Sequence, residues 1–113
     1  EENKGDENYE LLQHNLKQLK TMRLLNGKQL NTVELPMPDP VVYEDQRLPA
    51  SYANFYIANS SVIVPVFRSP KDDQALQIIS QCSPGRKVVG IDSTDIIWGL
   101  GSFHCLSQQE PLV

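Results

Sequence analysis

The sequence is poor in the residues that staple or metallate small proteins. Its 113 residues hold two cysteines, Cys82 and Cys105, and two histidines. Two cysteines are too few for a disulfide-stapled secreted scaffold, and without CxxC or HxxxH spacing these residues make no zinc site. Positive charge is in deficit as well, with ten Lys and Arg against fourteen Asp and Glu and a net charge of −4. That balance argues against nucleic-acid binding, which normally needs clustered cations to displace counterions from phosphate. No apolar run approaches the roughly 18 to 20 residues that cross a bilayer, and the charged start Glu1-Glu2-Asn3-Lys4 is not a signal peptide. The expected location is therefore the cytoplasm, with no membrane partner. No Gly-rich phosphate loop of the usual kinds is present. Residue 1 is Glu rather than Met, which raises the expectation of a piece of a longer protein.

What is there suffices for one core. A domain of about 100 to 150 residues hides roughly two-thirds of the surface its unfolded chain exposes, and 40% of this chain is hydrophobic. Tyr9, Leu12, Leu16 and Leu19 fall at steps of three and four, which predicts a helix over residues 9–25 with Glu10, His14 and Lys17 on its polar side. Asn26-Gly27 is expected to close it. A short strand is expected over Leu30 to Leu35. Pro36, Pro38, Pro40 and Pro49, half of the eight prolines, then predict an extended loop from Leu35 to Ser51 with no regular structure. Val41, Val42, Tyr43 and Leu48 mark that loop as a packed one.

Beyond it the pattern changes to strands, Asn54 to Ala58 and Val62 to Phe67, separated by Asn59-Ser60-Ser61. Val62-Ile63-Val64 is apolar on consecutive positions and is expected to be buried on both faces. Ser69-Pro70 reads as an N-cap and first helical residue, followed by Asp72 and Asp73 at the positive end of the dipole. Ala75, Leu76, Ile78, Ile79 and Cys82 form the apolar face of this helix. Ser83-Pro84-Gly85 stops it, and Lys87 to Ile91 returns as a second buried strand. Strand, helix, strand predicts parallel pairing with the helix packed across. A turn at Asp92 to Asp95, the apolar Ile96-Ile97-Trp98 and the pair Gly99-x-Gly101 lead into a final extended run from Phe103 to Gln109.

Cys105 is the candidate for chemistry. Composition alone favours a buried, inert cysteine, because free Cys is among the most buried residue types. Its place after a glycine pair favours exposure, since glycine lets backbone approach a ligand closely. His104 is next to it, but adjacent residues on a strand point to opposite faces, so on the expected strand His104 cannot act as its base. His14 reads as a solvated surface residue. A nucleophilic Cys105 needs a group that lowers its pKa or takes its proton, and no residue of this sequence is clearly placed to do so.

Two long stretches carry a resemblance. Arg47-Leu48-Pro49-Ala50-Ser51-Tyr52-Ala53-Asn54-Phe55-Tyr56-Ile57-Ala58-Asn59 and the closing Gly99-x-Gly101-x-x-His104-Cys105-x-x-Gln108-Gln109-x-Pro111 resemble the C-terminal third of agmatine deiminases, the Porphyromonas-type peptidylarginine deiminase family. The opening Asp6-Glu7-Asn8-Tyr9 and the Pro-Gly-Arg before Lys87 agree in order and spacing. The resemblance implies an α/β fold, part of a pseudo-fivefold α/β propeller of ββαβ modules, of which this chain supplies about one and a half. Residues 1–113 are then the C-terminal segment of one catalytic domain.

The same resemblance implies that Cys105 is the nucleophile of a guanidine iminohydrolase. This enzyme converts agmatine to N-carbamoylputrescine and ammonia through a covalent thioether, a step toward putrescine. Gly99, Leu100, Gly101 and His104 would line the substrate pocket, with no metal and no cofactor. The base and the carboxylates that grip the guanidinium are implied to lie in the rest of the protein, and homodimerisation is left open. One departure stands out: Gly99-Leu100-Gly101-Ser102-Phe103-His104-Cys105 replaces the Gly-Gly-Gly-Asn-Ile-His-Cys common in the family, which bears on substrate size and identity. Two alternatives remain at this point. One is deimination of arginine or peptidyl-arginine on the same fold. The other is a non-catalytic α/β assembly module when the chain is isolated.

Overall fold

The stripe of Tyr9, Leu12, Leu16 and Leu19 folds as a helix, α1 (Tyr9–Thr21), in the computed structural model, which describes residues 1–111. It belongs to the first of two units, Glu1–Pro36. Tyr9, Leu12 and Leu16 are half-buried, Leu19 and His14 are exposed, and no residue of α1 is fully buried. The helix ends four residues short of the expected Leu25. Arg23 pairs with Gln29 in an isolated antiparallel bridge, and its Nη1 donates to the carbonyls of Lys20 and Met22 at 3.1 and 2.8 Å. Those bonds satisfy orphaned carbonyls at the helix C-terminus. Asn26-Gly27 therefore turns the chain between the bridge residues rather than capping the helix, with Gly27 at φ 79°. Leu30 to Leu35 forms no ladder among the described residues, against the strand expected there.

The second unit starts at Met37. The proline-rich loop holds a small antiparallel hairpin that its prolines did not suggest, β1 (Val42–Tyr43) against β2 (Gln46–Arg47). Prolines 36–40 and Pro49 flank it without entering it. Glu44 and Asp45 both take positive φ, 47° and 62°, the backbone that a two-residue hairpin turn requires. Leu48 extends the pairing by donating its N–H to Val41 at 2.8 Å.

The main sheet has the order β3-β4-β5, built from β3 (Tyr56–Ile57), β4 (Ser61–Val66) and β5 (Lys87–Asp92). β3 runs antiparallel to β4, and β5 runs parallel to it from Ser61↔Lys87 to Val66↔Asp92. Helix α2 (Asp72–Cys82) is the crossover, as the strand, helix, strand pattern required. Val62 and Val64 are fully buried and Ile63 is half-buried. β5 was expected to be a second buried strand, yet only Val88 and Val89 are even half-buried. Paired on one side alone, it is an edge strand among the described residues. Gly90 lets α2 come close: a Cβ there would stand 3.0 Å from both Leu76 Cδ1 and Val66 Cγ1.

The start of α2 differs from the expected Ser69 N-cap. The helix opens at Asp72, whose carboxylate folds back to accept from the N–H groups of Phe67 and Ser69 and from the Tyr52 hydroxyl at 2.6 Å. Ser69 pins the loop instead, its Oγ accepting from Lys71 N and Asp39 N. Ala75 and Ile79 face the core, Leu76 and Ile78 are half-buried, and Cys82 at the last turn is exposed rather than part of the apolar face. Tyr52, Phe67 and Leu48 complete the core, the first two with ring centroids 5.8 Å apart. Burial, together with the hydrogen bond to Asp72, pushes the Tyr52 hydroxyl well above its ordinary pKa.

Candidate active site

The loop after β5 is tied back to the sheet before it reaches Cys105. Ser93 N donates to the Val66 carbonyl at 2.8 Å and the Ser93 carbonyl accepts from Ile97 N at 2.9 Å, starting a 3-10 turn over Ile96–Gly99. Ile97 is fully buried and anchors that turn, while Trp98 is exposed and packs edge-on to Tyr43 at 5.2 Å. Leu100 follows in the left-handed region at φ 64° and is 71% exposed. Ser102 then dives into the interior, where its hydroxyl meets that of Ser93 at 2.6 Å with both residues at 0% exposure. From this fixed point the chain makes one short helix, α3 (Phe103–Leu106).

Cys105 therefore sits on a helical turn, not on the extended strand expected from Phe103 to Gln109, and it is exposed rather than buried. The argument that separated His104 from the sulfur by strand alternation loses its premise. The sulfur is engaged by Asn54, which reaches α3 with every polar atom of its side chain. Asn54 Nδ2 donates to Cys105 Sγ at 3.0 Å, and Asn54 Oδ1 accepts from His104 N at 2.9 Å and Cys105 N at 3.3 Å. The Asn54 carbonyl takes a second, longer bond from His104 N at 3.3 Å. One amide thus accepts from two of the orphan N–H groups of α3 and donates to the thiol sulfur.

Asn54 was expected to begin a strand, but β3 starts at Tyr56 and Asn54 belongs to the turn before it, its N–H bonded to the Ser51 carbonyl at 3.2 Å. A residue freed from a ladder can spend its side chain on a neighbouring element. Asn54 lay within the motif that carries the family resemblance, and its role was missed because nothing in the local pattern shows a partner 51 residues away.

Of the residues named in advance, Gly101 and Cys105 are in direct contact. A Cβ on Gly101 would stand 2.7 Å from Cys105 Cβ and 3.1 Å from Sγ, so glycine is what allows the nucleophile candidate to lie over the loop. Gly99 is different, since a Cβ there meets nothing within 4 Å. His104 is exposed and lines a neighbouring cavity of about 510 Å³ with Phe55, Tyr56 and Gln108. At the C-terminal ends of β4 and β5, Arg68 Nε pairs with Asp92 at 2.7 Å. Hydrogen bonds from Thr94, then the Arg68 pair, hold the Asp92 carboxyl down to about 2. Among the described residues, no cluster of three or more His, Cys, Asp and Glu could hold a metal, and no helix is long and apolar enough to cross a membrane.

The arrangement is a small α/β sheet that carries an exposed thiol on a glycine-supported helical turn. The chain belongs to the Porphyromonas-type peptidyl-arginine deiminase family, whose model matches residues 1–111. It is 35% identical over 97% of its length to "Putative agmatine deiminase" of Marinomonas sp. (strain MWYL1), of which it covers 34%. The chain thus spans about a third of the length of the curated relatives it matches. Among solved structures, agmatine deiminase of Enterococcus faecalis superposes on 98% of the chain with a TM-score of 0.90 at 28% identity, 35% of that chain being covered. The C. jejuni agmatine deiminase superposes on 92% with a TM-score of 0.80 at 36% identity, with 31% of that chain covered. The α/β arrangement is that of a fragment of the propeller-like fold of these deiminases.

Proposed function

We propose that residues 1–113 are the C-terminal segment of the catalytic domain of a guanidine iminohydrolase acting on agmatine, with Cys105 as nucleophile. The observation that carries the reading is the exposed Cys105 sulfur, held at 3.0 Å by Asn54 Nδ2 over a glycine that leaves room for it. Support also comes from a cysteine-to-serine variant of the C. jejuni agmatine deiminase, 36% identical to this chain, whose structure has substrate bound. A serine in place of a nucleophilic sulfur is the substitution that lets substrate persist.

In the proposed reaction the Cys105 sulfur forms a bond to the guanidinium carbon as its thiol proton passes to one amino group. The C–N bond to that group breaks and ammonia leaves, giving a positively charged amidino-thioether on Cys105. Water then adds to the same carbon, the C–S bond breaks, and the ureido product departs. The thiol is restored, and the proton released by water leaves with ammonia as ammonium. Asn54 keeps Sγ aimed throughout, and Gly101 keeps its approach open. The group that relays these protons and the carboxylates that hold the guanidinium come from the remainder of the protein.

Replacement of Cys105 by Ala in the intact protein is expected to abolish ammonia release from agmatine, measured directly; unchanged turnover would sink the assignment. A panel of agmatine, arginine and arginyl peptides separates this reading from deimination of arginine or peptidyl-arginine, because only the last two place a carbonyl or carboxylate beside the alkyl chain.

A further inference from the structure

The helical turn that presents Cys105 lies against β4 and is fastened at two points, each leading to a different outer strand of the described sheet. The first is Asn54, two residues before β3, whose Nδ2 donates to Cys105 Sγ while its Oδ1 accepts from His104 N and Cys105 N. The second is Ser102, the residue from which α3 starts. Its Oγ meets Ser93 Oγ at 2.6 Å, and its carbonyl accepts from Leu106 N at 3.0 Å, which closes the turn that contains Cys105. Ser93 is tied to the sheet in its own right. It follows the last residue of β5, and its N–H bonds the Val66 carbonyl at 2.8 Å. Both serines are at 0% exposure. Burial of that kind holds whatever further chain surrounds this segment, because added chain covers surface and does not uncover it.

We propose that Ser102 is a positioning residue for the Cys105 sulfur, and that with Asn54 it forms a two-point clamp in which neither point holds the sulfur alone. The proposal rests on the deiminase reading above and names what sets the approach of the nucleophile to the guanidinium carbon. A helix of four residues cannot hold its own place, since helices shorter than about 12 residues are marginal without tertiary support. Asn54 fixes its sulfur end and Ser102 fixes its start. The serine point is stiff, because drawing two buried hydroxyls apart leaves them unpaired. With either point released, α3 pivots about the other. The room for such movement is small: a Cβ on Gly101 would already stand 2.7 Å from that of Cys105. A displacement of about 1 Å costs on the order of a hundredfold in rate. Two constraints on one rigid body act as a unit, so the losses on removing them do not add.

The test is a double-mutant cycle over Asn54→Ala and Ser102→Ala in the intact protein, with kcat and KM for agmatine measured below the melting temperature of every variant. Each single variant is expected to lose about a hundredfold in kcat with KM nearly unchanged, and the double variant about as much as either one. Independent losses would multiply to about ten-thousandfold, and that outcome overturns the clamp. Ile79→Val, on the core face of α2, is the stability control. It should lower the melting temperature and keep kcat; a Ser102→Ala protein that behaves the same way overturns the positioning role. Ser93→Ala removes the same hydrogen bond from the other partner and takes the place of Ser102→Ala if that variant does not fold. A wild type that turns over neither agmatine nor arginine sinks the deiminase reading. The clamp is then judged by iodoacetamide alkylation of Cys105 relative to Cys82, a ratio that should shift to a similar extent in the two single variants and the double; an unchanged ratio overturns it.

Discussion

Asn54 and Cys105 stand 51 positions apart in the chain and are joined at the sulfur, Nδ2 to Sγ at 3.0 Å. The same amide accepts the backbone N–H groups of residues 104 and 105, so one side chain holds both the nucleophile candidate and the helix that presents it. Asn54→Ala is expected to lower kcat by about a hundredfold, the scale on which a misplaced reacting group costs rate, while KM for agmatine changes little. Asn54→Asp retains the acceptor but loses the donor to sulfur, so it should fold like the wild type and still be slow. Equal losses in kcat and thermal stability across both variants would reduce Asn54 to a structural cap.

Gly101 makes a steric prediction. With a Cβ 2.7 Å from that of Cys105, Gly101→Ala cannot be accommodated without moving α3, because real Cβ atoms do not approach so closely. Overpacking of this kind costs about 1 to 3 kcal/mol. The sharper readout is local: the rate of Cys105 alkylation by iodoacetamide should change while Cys82, at the far end of α2, keeps its own rate. Gly99→Ala, with open space around its Cβ, is the matched control and should leave both rates as they are.

Much of the sheet was legible in the sequence, and the helix that carries the cysteine was not. Val62-Ile63-Val64, the apolar stripe through Ala75 and Ile79 and the return at Lys87 announce a parallel strand, helix, strand unit because periodicity and turn chemistry there are local. Phe103-His104-Cys105-Leu106 is too short to show a helical period, so its apolar character reads as a strand. What makes it helical is tertiary: the buried Ser93–Ser102 contact fixes its start, and Asn54 accepts from the N–H groups of His104 and Cys105. The exposure of β5 was illegible for a related reason. Its apolar sequence encodes a buried strand, whereas among the described residues it pairs with β4 alone and only Val88 and Val89 are half-buried. The resemblance singled out Cys105 through its motif as the expected nucleophile, without revealing which residue holds it.

The serine pair is a test of buried polarity. Ser93 and Ser102 are both fully buried and satisfy each other at 2.6 Å. Ser102→Ala leaves the Ser93 hydroxyl with one partner fewer in an apolar setting, at a cost of about 1 to 3 kcal/mol. The double variant removes the stranded group as well and should be less destabilised than the two single losses added together. A double-mutant cycle by urea denaturation measures this coupling directly. Strict additivity would show that the two hydroxyls do not depend on each other.

Two titrating groups are shifted in opposite directions by the fold. Asp92 has its pKa lowered to about 2 in the fold, by Thr94 first and then Arg68. Its contribution is therefore complete above the unfolded carboxylate value of about 4 and is lost as pH falls from there toward 2. Tyr52 is shifted upward by burial and by its hydrogen bond to Asp72. Folding thus favours the neutral phenol, and its contribution is complete below the unfolded value of about 10 and declines as pH rises above it. Tyr52→Phe removes the titrating hydroxyl while keeping the ring against Phe67, so it should flatten the alkaline limb of a melting-temperature profile and leave the acid limb unchanged. Asp92→Asn should do the reverse between about pH 4 and pH 2. A Tyr52→Phe protein that still loses stability above pH 10 as steeply as the wild type would place the alkaline transition on another group.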